Sequence, residues 1–105
     1  MTREEYQASL ADLRAEVVDM GALVADRLGR ALTALETVDE VAAREVAGAD
    51  DAVDRRYLDI ESTCIQLFAS QQPVAGDLRL VASSFKIVTD LERIGDLAVN
   101  LAQYT

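Results

Sequence analysis

The 105-residue chain is half hydrophobic, contains one proline and five glycines, and carries a net charge of −9 from ten basic and nineteen acidic residues. This composition excludes a disordered polar chain, its acidity disfavours nucleic acid and anionic lipid as partners, and no apolar run approaches the roughly 20 residues that span a membrane. The lone Cys64 cannot form an internal disulfide and residues 2 to 9 are too polar for a secretory signal, so the cytoplasm is the expected compartment.

Ala and Leu are abundant and aromatics few, which favours long helices over strands and predicts an all-α fold in one domain, residues 1–105. Thr2 followed by Glu5 has capping-box spacing. From there Tyr6, Leu10, Leu13, Val17, Met20, Val24, Ala31 and Leu35 keep a three-four rhythm, predicting a first helix over about 3–36. Gly21 and Gly29 lie inside it and are candidate points of close helix approach. Thr37 and Glu40 repeat the capping-box spacing and predict a second helix over about 39–70, with Val46, Val53, Ile60, Cys64 and Leu67 as its core stripe. Cys64 on that stripe reads as a small core residue.

Ser70, Gln71, Gln72 and Pro73 end the second helix, because the residue before proline avoids the helical region. A third helix follows over about 74–104, with Asp77 near its positive end. Its apolar stripe runs through Leu80, Ile87, Leu91, Ile94, Ala98 and Leu101, and a neighbouring stripe begins with Val81, Phe85 and Val88 before turning acidic at Glu92 and Asp96. Three such helices predict an antiparallel up-down-up bundle.

Glu92 and Asp96 stand one turn apart, with side-chain origins about 6 Å from each other, a like-charge spacing that destabilises a lone helix by a few tenths of a kcal/mol. Asp50 and Asp54 repeat the spacing on the second helix, and Tyr57 and Glu61 extend that face. Counting from the turn at Gln72-Pro73, both pairs lie about 20 residues away, so in an antiparallel arrangement they arrive at similar heights. Converging carboxylates without His or Cys describe a site for a hard cation. The alternative is a solvated acidic face. Arg79 and Arg93 read as solvated residues or local ion pairs, and Asn100 as a further oxygen ligand or a polar boundary residue.

Two segments, Gln71-Gln72-Pro73-Val74-Ala75-Gly76-Asp77-Leu78-Arg79 and Asp90-Leu91-Glu92-Arg93-Ile94-Gly95-Asp96-Leu97-Ala98, resemble the signature of the PhoU family of phosphate-uptake regulators. Asp50-Asp51-Ala52-Val53-Asp54 and Ile60-Glu61 fit the same pattern. The resemblance implies a three-helix bundle that occurs twice in a typical member. It also implies acidic metal-binding motifs, here Glu92 with Asp96 and Asp50 with Asp54, taking iron, manganese or magnesium. The implied role is regulatory rather than enzymatic: restraining a phosphate transporter, through partners such as its ATPase subunit, and a phosphate-sensing histidine kinase. With a single repeat and an apolar rhythm still running at Tyr104, the chain reads as half of a tandem protein or as one partner of a homodimer. A structural dimerisation bundle without metal and a carboxylate-bridged metal enzyme are the alternatives, the latter lacking His and any nucleophile beside the acids.

Overall fold

Every described element is helical in the computed structural model, which describes residues 2–70 and 75–105 apart from the side chains of Asp50 and Ala75. Helix α1 spans Arg3–Thr37, α2 Glu40–Gly48, α3 Asp50–Ala69 and α4 Ala75–Gln103. The 35 residues of α1, at about 1.5 Å each, run the full 52 Å length of a body only 17 × 16 Å across. Both α2 and α3 pack against α1 and α4, so the chain goes up, down and up again as an antiparallel bundle.

At the start of α1 the Thr2–Glu5 box forms: Glu5 N–H donates to Thr2 Oγ1 and Thr2 N–H to Glu5 Oε2, each at 3.1 Å. The second cap differs from expectation. Thr37 remains inside α1, its hydroxyl donating to the Thr33 carbonyl, and Asp39 caps α2 by accepting from Ala42 N–H at 3.0 Å. A carboxylate adjacent to the first turn outcompetes a threonine hydroxyl already bonded to its own helix.

The second expected helix is also corrected. It is realised as α2 and α3, interrupted at Ala49 (φ −98°, ψ 11°) immediately after Gly48. Glycine is a weak helix former, and here it ends one segment where the backbone leaves helical geometry. The break expected at residues 70–73 begins at Ser70, which is extended (φ −65°, ψ 143°). Gln71, Gln72 and Pro73 lie outside the described residues.

The interior has two parts. Toward the start of α1, Tyr6, Leu10, Leu13, Met20 and Val24 meet Val53, Ile60, Cys64 and Leu67 of α3 and Val81 and Val88 of α4. Toward its end, Ala31 and Ala34 meet Ala43 and Val46 of α2 and Ala98 and Ala102 of α4. Mostly single-methyl side chains fill this second seam, which draws the helix axes together. Ala34 takes the interior position expected for Leu35, which is 38% exposed.

In α4 the buried line is rotated from the expected stripe. Val81, Ser84, Val88, Gly95, Ala98 and Ala102 are buried, whereas Ile87 is 47% exposed and Leu80, Leu91 and Ile94 are half-buried, packing against the core from its flank. The small residues lie in the seam because helices that approach closely have no room for larger ones. Glu92 thereby continues the line of Val81 and Val88 and is itself half-buried.

Candidate metal centre

The α3–α4 seam places the acids. Antiparallel packing sets Val53 against Gly95 and Cys64 against Val81, whose carbonyl accepts from the Cys64 thiol at 3.9 Å. Beside the Val53–Gly95 contact, Asp54 meets the one-turn pair on α4, whose two members flank Gly95 in sequence. One ligand oxygen from each of Asp54, Glu92 and Asp96 lies within 4.8 Å of the other two. Asp54 and Glu92 are half-buried and Asp96 is exposed, so the group opens to solvent at one side.

Three of the four acids expected at the site are thus brought together. Asp50 opens α3, but its side chain lies outside the described residues. Asn100 is exposed, and Arg93 forms a solvent-exposed pair with Asp90 at 3.8 Å, the weak local ion pair expected of it.

Beside the trio, the Tyr57 hydroxyl reaches Thr89 and Glu61. Thr89 favours the phenolate, but the bond to Glu61, burial and the charges of Glu61 and Glu92 together outweigh it and push the phenol above its ordinary value. Cys64 is fully buried, and burial first, then the charges of Glu16 and Glu61, raise its thiol. It is the inert core residue its place on the stripe suggested.

The donor set is all carboxylate oxygen, the chemistry of a hard-cation site. Like charges this close disfavour one another's ionisation, a cost that a bound cation would offset. Sequence reasoning missed Gly95, assigning close helix approach to Gly21 and Gly29. A Cβ at either of those meets nothing within 4 Å, whereas at Gly95 it would sit 3.1 Å from Val53 Cγ1. The available signal was position: Gly95 falls between the two paired acids. A groove of about 440 Å³ between α1 and α2, bordered by Arg27, Arg30, Asp39 and Glu45, shares no residue with the trio.

Fold and site together define an all-α bundle protein with carboxylates gathered across one interhelical seam. Residues 17–105 match the PhoU domain. Among relatives, the phosphate-specific transport system accessory protein PhoU homolog of Clostridium acetobutylicum is 41% identical over 104 residues, covering 98% of this chain and 48% of its own. The corresponding PhoU of Escherichia coli is 37% identical over 94 residues, 90% of this chain and 39% of its own. The crystal structure of PhoU from Pseudomonas aeruginosa superposes with a TM-score of 0.90 at 39% identity, over 93% of this chain and 47% of that one. The chain belongs to the PhoU family and spans less than half the length of these relatives.

Proposed function

We propose that this chain is a PhoU-type regulatory adaptor of phosphate transport whose carboxylate trio holds a hard cation: iron, manganese or magnesium. The observation that carries the reading is the convergence of Asp54, Glu92 and Asp96 within 4.8 Å, on a chain whose relatives bear the name of phosphate-transport accessory proteins. The bound ion would neutralise the trio and pin α3 to α4, fixing the seam's outer face for a partner.

On this reading the partners are the phosphate transporter's ATPase subunit and the phosphate-sensing histidine kinase, met on the cytoplasmic side. Among the described residues no helix is long and apolar enough to cross a membrane, so contact with a transporter is made from outside the bilayer. The exposed Leu58, Ile65 and Phe68 of α3 and Leu78 of α4 supply apolar surface for a second repeat, either a second copy of this chain or a tandem half.

Elemental analysis of protein purified without a metal-affinity step tests the site. Iron, manganese or magnesium should accompany the wild type and be lost from Glu92→Ala and Asp96→Ala. No metal in the wild type, even after all three ions are supplied, overturns the metal reading. Capture of the transporter ATPase subunit tests the adaptor role, and failure to retain it under phosphate-replete conditions counts against that role.

A further inference from the structure

Gly95 occupies an unusual place in the chain. A Cβ at Gly21, Gly29, Gly48 or Gly76 would meet nothing within 4 Å, but at Gly95 it would lie 3.1 Å from Val53 Cγ1, with Val53 Cβ and Cγ2 both at 3.8 Å. Val53 is 2% exposed and belongs to the main core cluster. It immediately precedes Asp54, while Gly95 lies between Glu92 and Asp96. The tightest approach of α3 to α4 at a glycine is therefore made by the immediate neighbours of residues carrying the trio.

We propose that Gly95 is a positioning residue that sets the ion-size preference of the trio by fixing the separation of α3 and α4. The proposal rests on the metal-binding reading above. Magnesium holds its oxygens at about 2.0–2.1 Å, so no two of its ligand oxygens lie more than about 4.2 Å apart. Calcium, at about 2.3–2.6 Å, accepts oxygens up to about 5 Å apart and a looser geometry. The trio's oxygens lie within 4.8 Å of one another. That bound falls within the span calcium accepts and above the span magnesium accepts, so the smaller ion asks for more contraction, which requires that the helices stay close.

A methyl at position 95 opposes that contraction. Valine is β-branched and held near one χ1 rotamer in a helix, and Val53 is packed into the core, so it yields poorly by rotation. Relief comes from moving α3 away from α4, and Asp54 moves with its helix. Small-ion binding suffers first, because magnesium demands near-ideal octahedral geometry and calcium does not.

The experiment is calorimetric titration of Mg²⁺ and Ca²⁺ into metal-free wild type, Gly95→Ala, Val53→Ala and the Val53→Ala/Gly95→Ala double variant, with thermal melts to establish folding. Gly95→Ala should weaken Mg²⁺ by about tenfold or more while Ca²⁺ changes by less than about threefold. The double variant, in which the valine methyls that meet the new Cβ are gone, should recover the wild-type Mg²⁺/Ca²⁺ ratio, as a coupled pair does in a double-mutant cycle. Val53→Ala alone should leave the ratio unchanged. A merely structural glycine would lower stability without moving the ratio. Wild type that binds both ions, beside a folded Gly95→Ala with an unaltered ratio, overturns the role of Gly95 and leaves the metal site standing. Failure of the double variant to restore the ratio also overturns it. Wild type that binds only one of the two ions, or neither, overturns this proposal, while the metal site itself falls only if iron, manganese and magnesium all fail in the elemental analysis.

Discussion

The Asp39 amide donates to the Ala34 carbonyl at 2.9 Å while the Asp39 carboxylate accepts from Ala42 N–H at 3.0 Å, so one residue closes α1 and opens α2. To reach that position the chain passes through Val38 in the left-handed region (φ 52°, ψ 45°), with the Val38 amide donating to Leu35 at 3.3 Å. This is the hydrogen-bond pattern of a Schellman closure, which is normally built on glycine.

Val38 is therefore a strained β-branched residue that contributes little packing, being 69% exposed. Left-handed geometry costs an L-residue roughly 1–2 kcal/mol, partly offset by the greater freedom glycine has in the unfolded chain. Val38→Gly should stabilise the protein by about 0.5–1 kcal/mol in urea unfolding. Asp39→Ala, which removes the cap, should destabilise by about 1 kcal/mol. A loss of stability in Val38→Gly would show that the turn is not under strain.

The glycines of α1 give the opposite expectation to Gly95. Gly21 and Gly29 are helical, and an added Cβ meets nothing there within 4 Å. Gly21→Ala and Gly29→Ala should each gain up to about 1 kcal/mol from helix propensity. Chemical denaturation reads the difference, and destabilisation by either would indicate that α1 is crowded at that position.

This contrast also shows what was legible in the sequence. The three-four rhythm located the interior of α1 and α3 because large apolar side chains stand in their seams: Tyr6, Leu10, Leu13, Ile60 and Leu67 are all buried. In α4 the same rule set the main stripe to one side of the seam: Ala98 lies on it and Val81 and Val88 stand on the neighbouring stripe, but Ser84, Gly95 and Ala102 carry no such signal, while Leu80, Leu91 and Ile94 cover the flank. Residue size, which guides a hydrophobic reading, runs opposite to burial where helices approach closely. The meeting of Asp54 with Glu92 and Asp96 followed from charge spacing and counting back from the turn, both local quantities. The interruption at Ala49 turned on the weak helix propensity of Gly48, and the choice of Asp39 over Thr37 as cap on which side chain was already bonded to its own helix, neither of which spacing alone reveals.

Cys64 offers a check on core integrity. Its side chain is fully buried, its thiol donates to the Val81 carbonyl, and burial raises its titration above the ordinary value. A thiol-specific reagent should leave native protein unlabelled at pH 8, with labelling rising in urea in parallel with the loss of helical signal. Rapid labelling of native protein would mean that α3 separates from α4 without global unfolding.

Glu16 predicts a pH dependence. Its Oε2 is buried without a hydrogen-bond partner, and burial, then the charges of Asp12 and Asp59, raise its carboxyl above the ordinary value of 4.5. Arg56 and Asp59 border the same hollow. A raised carboxyl binds its proton more tightly in the folded state, so ionising it destabilises the fold as pH rises through the folded value. Glu16→Gln should therefore be more stable than wild type at pH 7, and the difference should shrink toward zero as pH falls below 4.5. A gain that is constant across that range would assign the effect to something other than the carboxylate charge.

The trio predicts an inversion of stability on adding metal. Without an ion, Asp96 adds its charge to those of Asp54 and Glu92, and like charges at such spacing cost a few tenths of a kcal/mol. Asp96→Asn should then melt slightly above the wild type in chelator. With a cation at about one hundred times its dissociation constant, an ion bound only by the folded state stabilises the wild type by about 2.7 kcal/mol. The amide variant, short of one anionic oxygen, gains less, and the order of melting temperatures should reverse. Repulsion and ligation are the two faces of the same geometry, so both halves of the inversion have to appear. A variant that is more stable in chelator and remains so in saturating iron, manganese and magnesium would leave the trio as an electrostatic liability with no ion to relieve it.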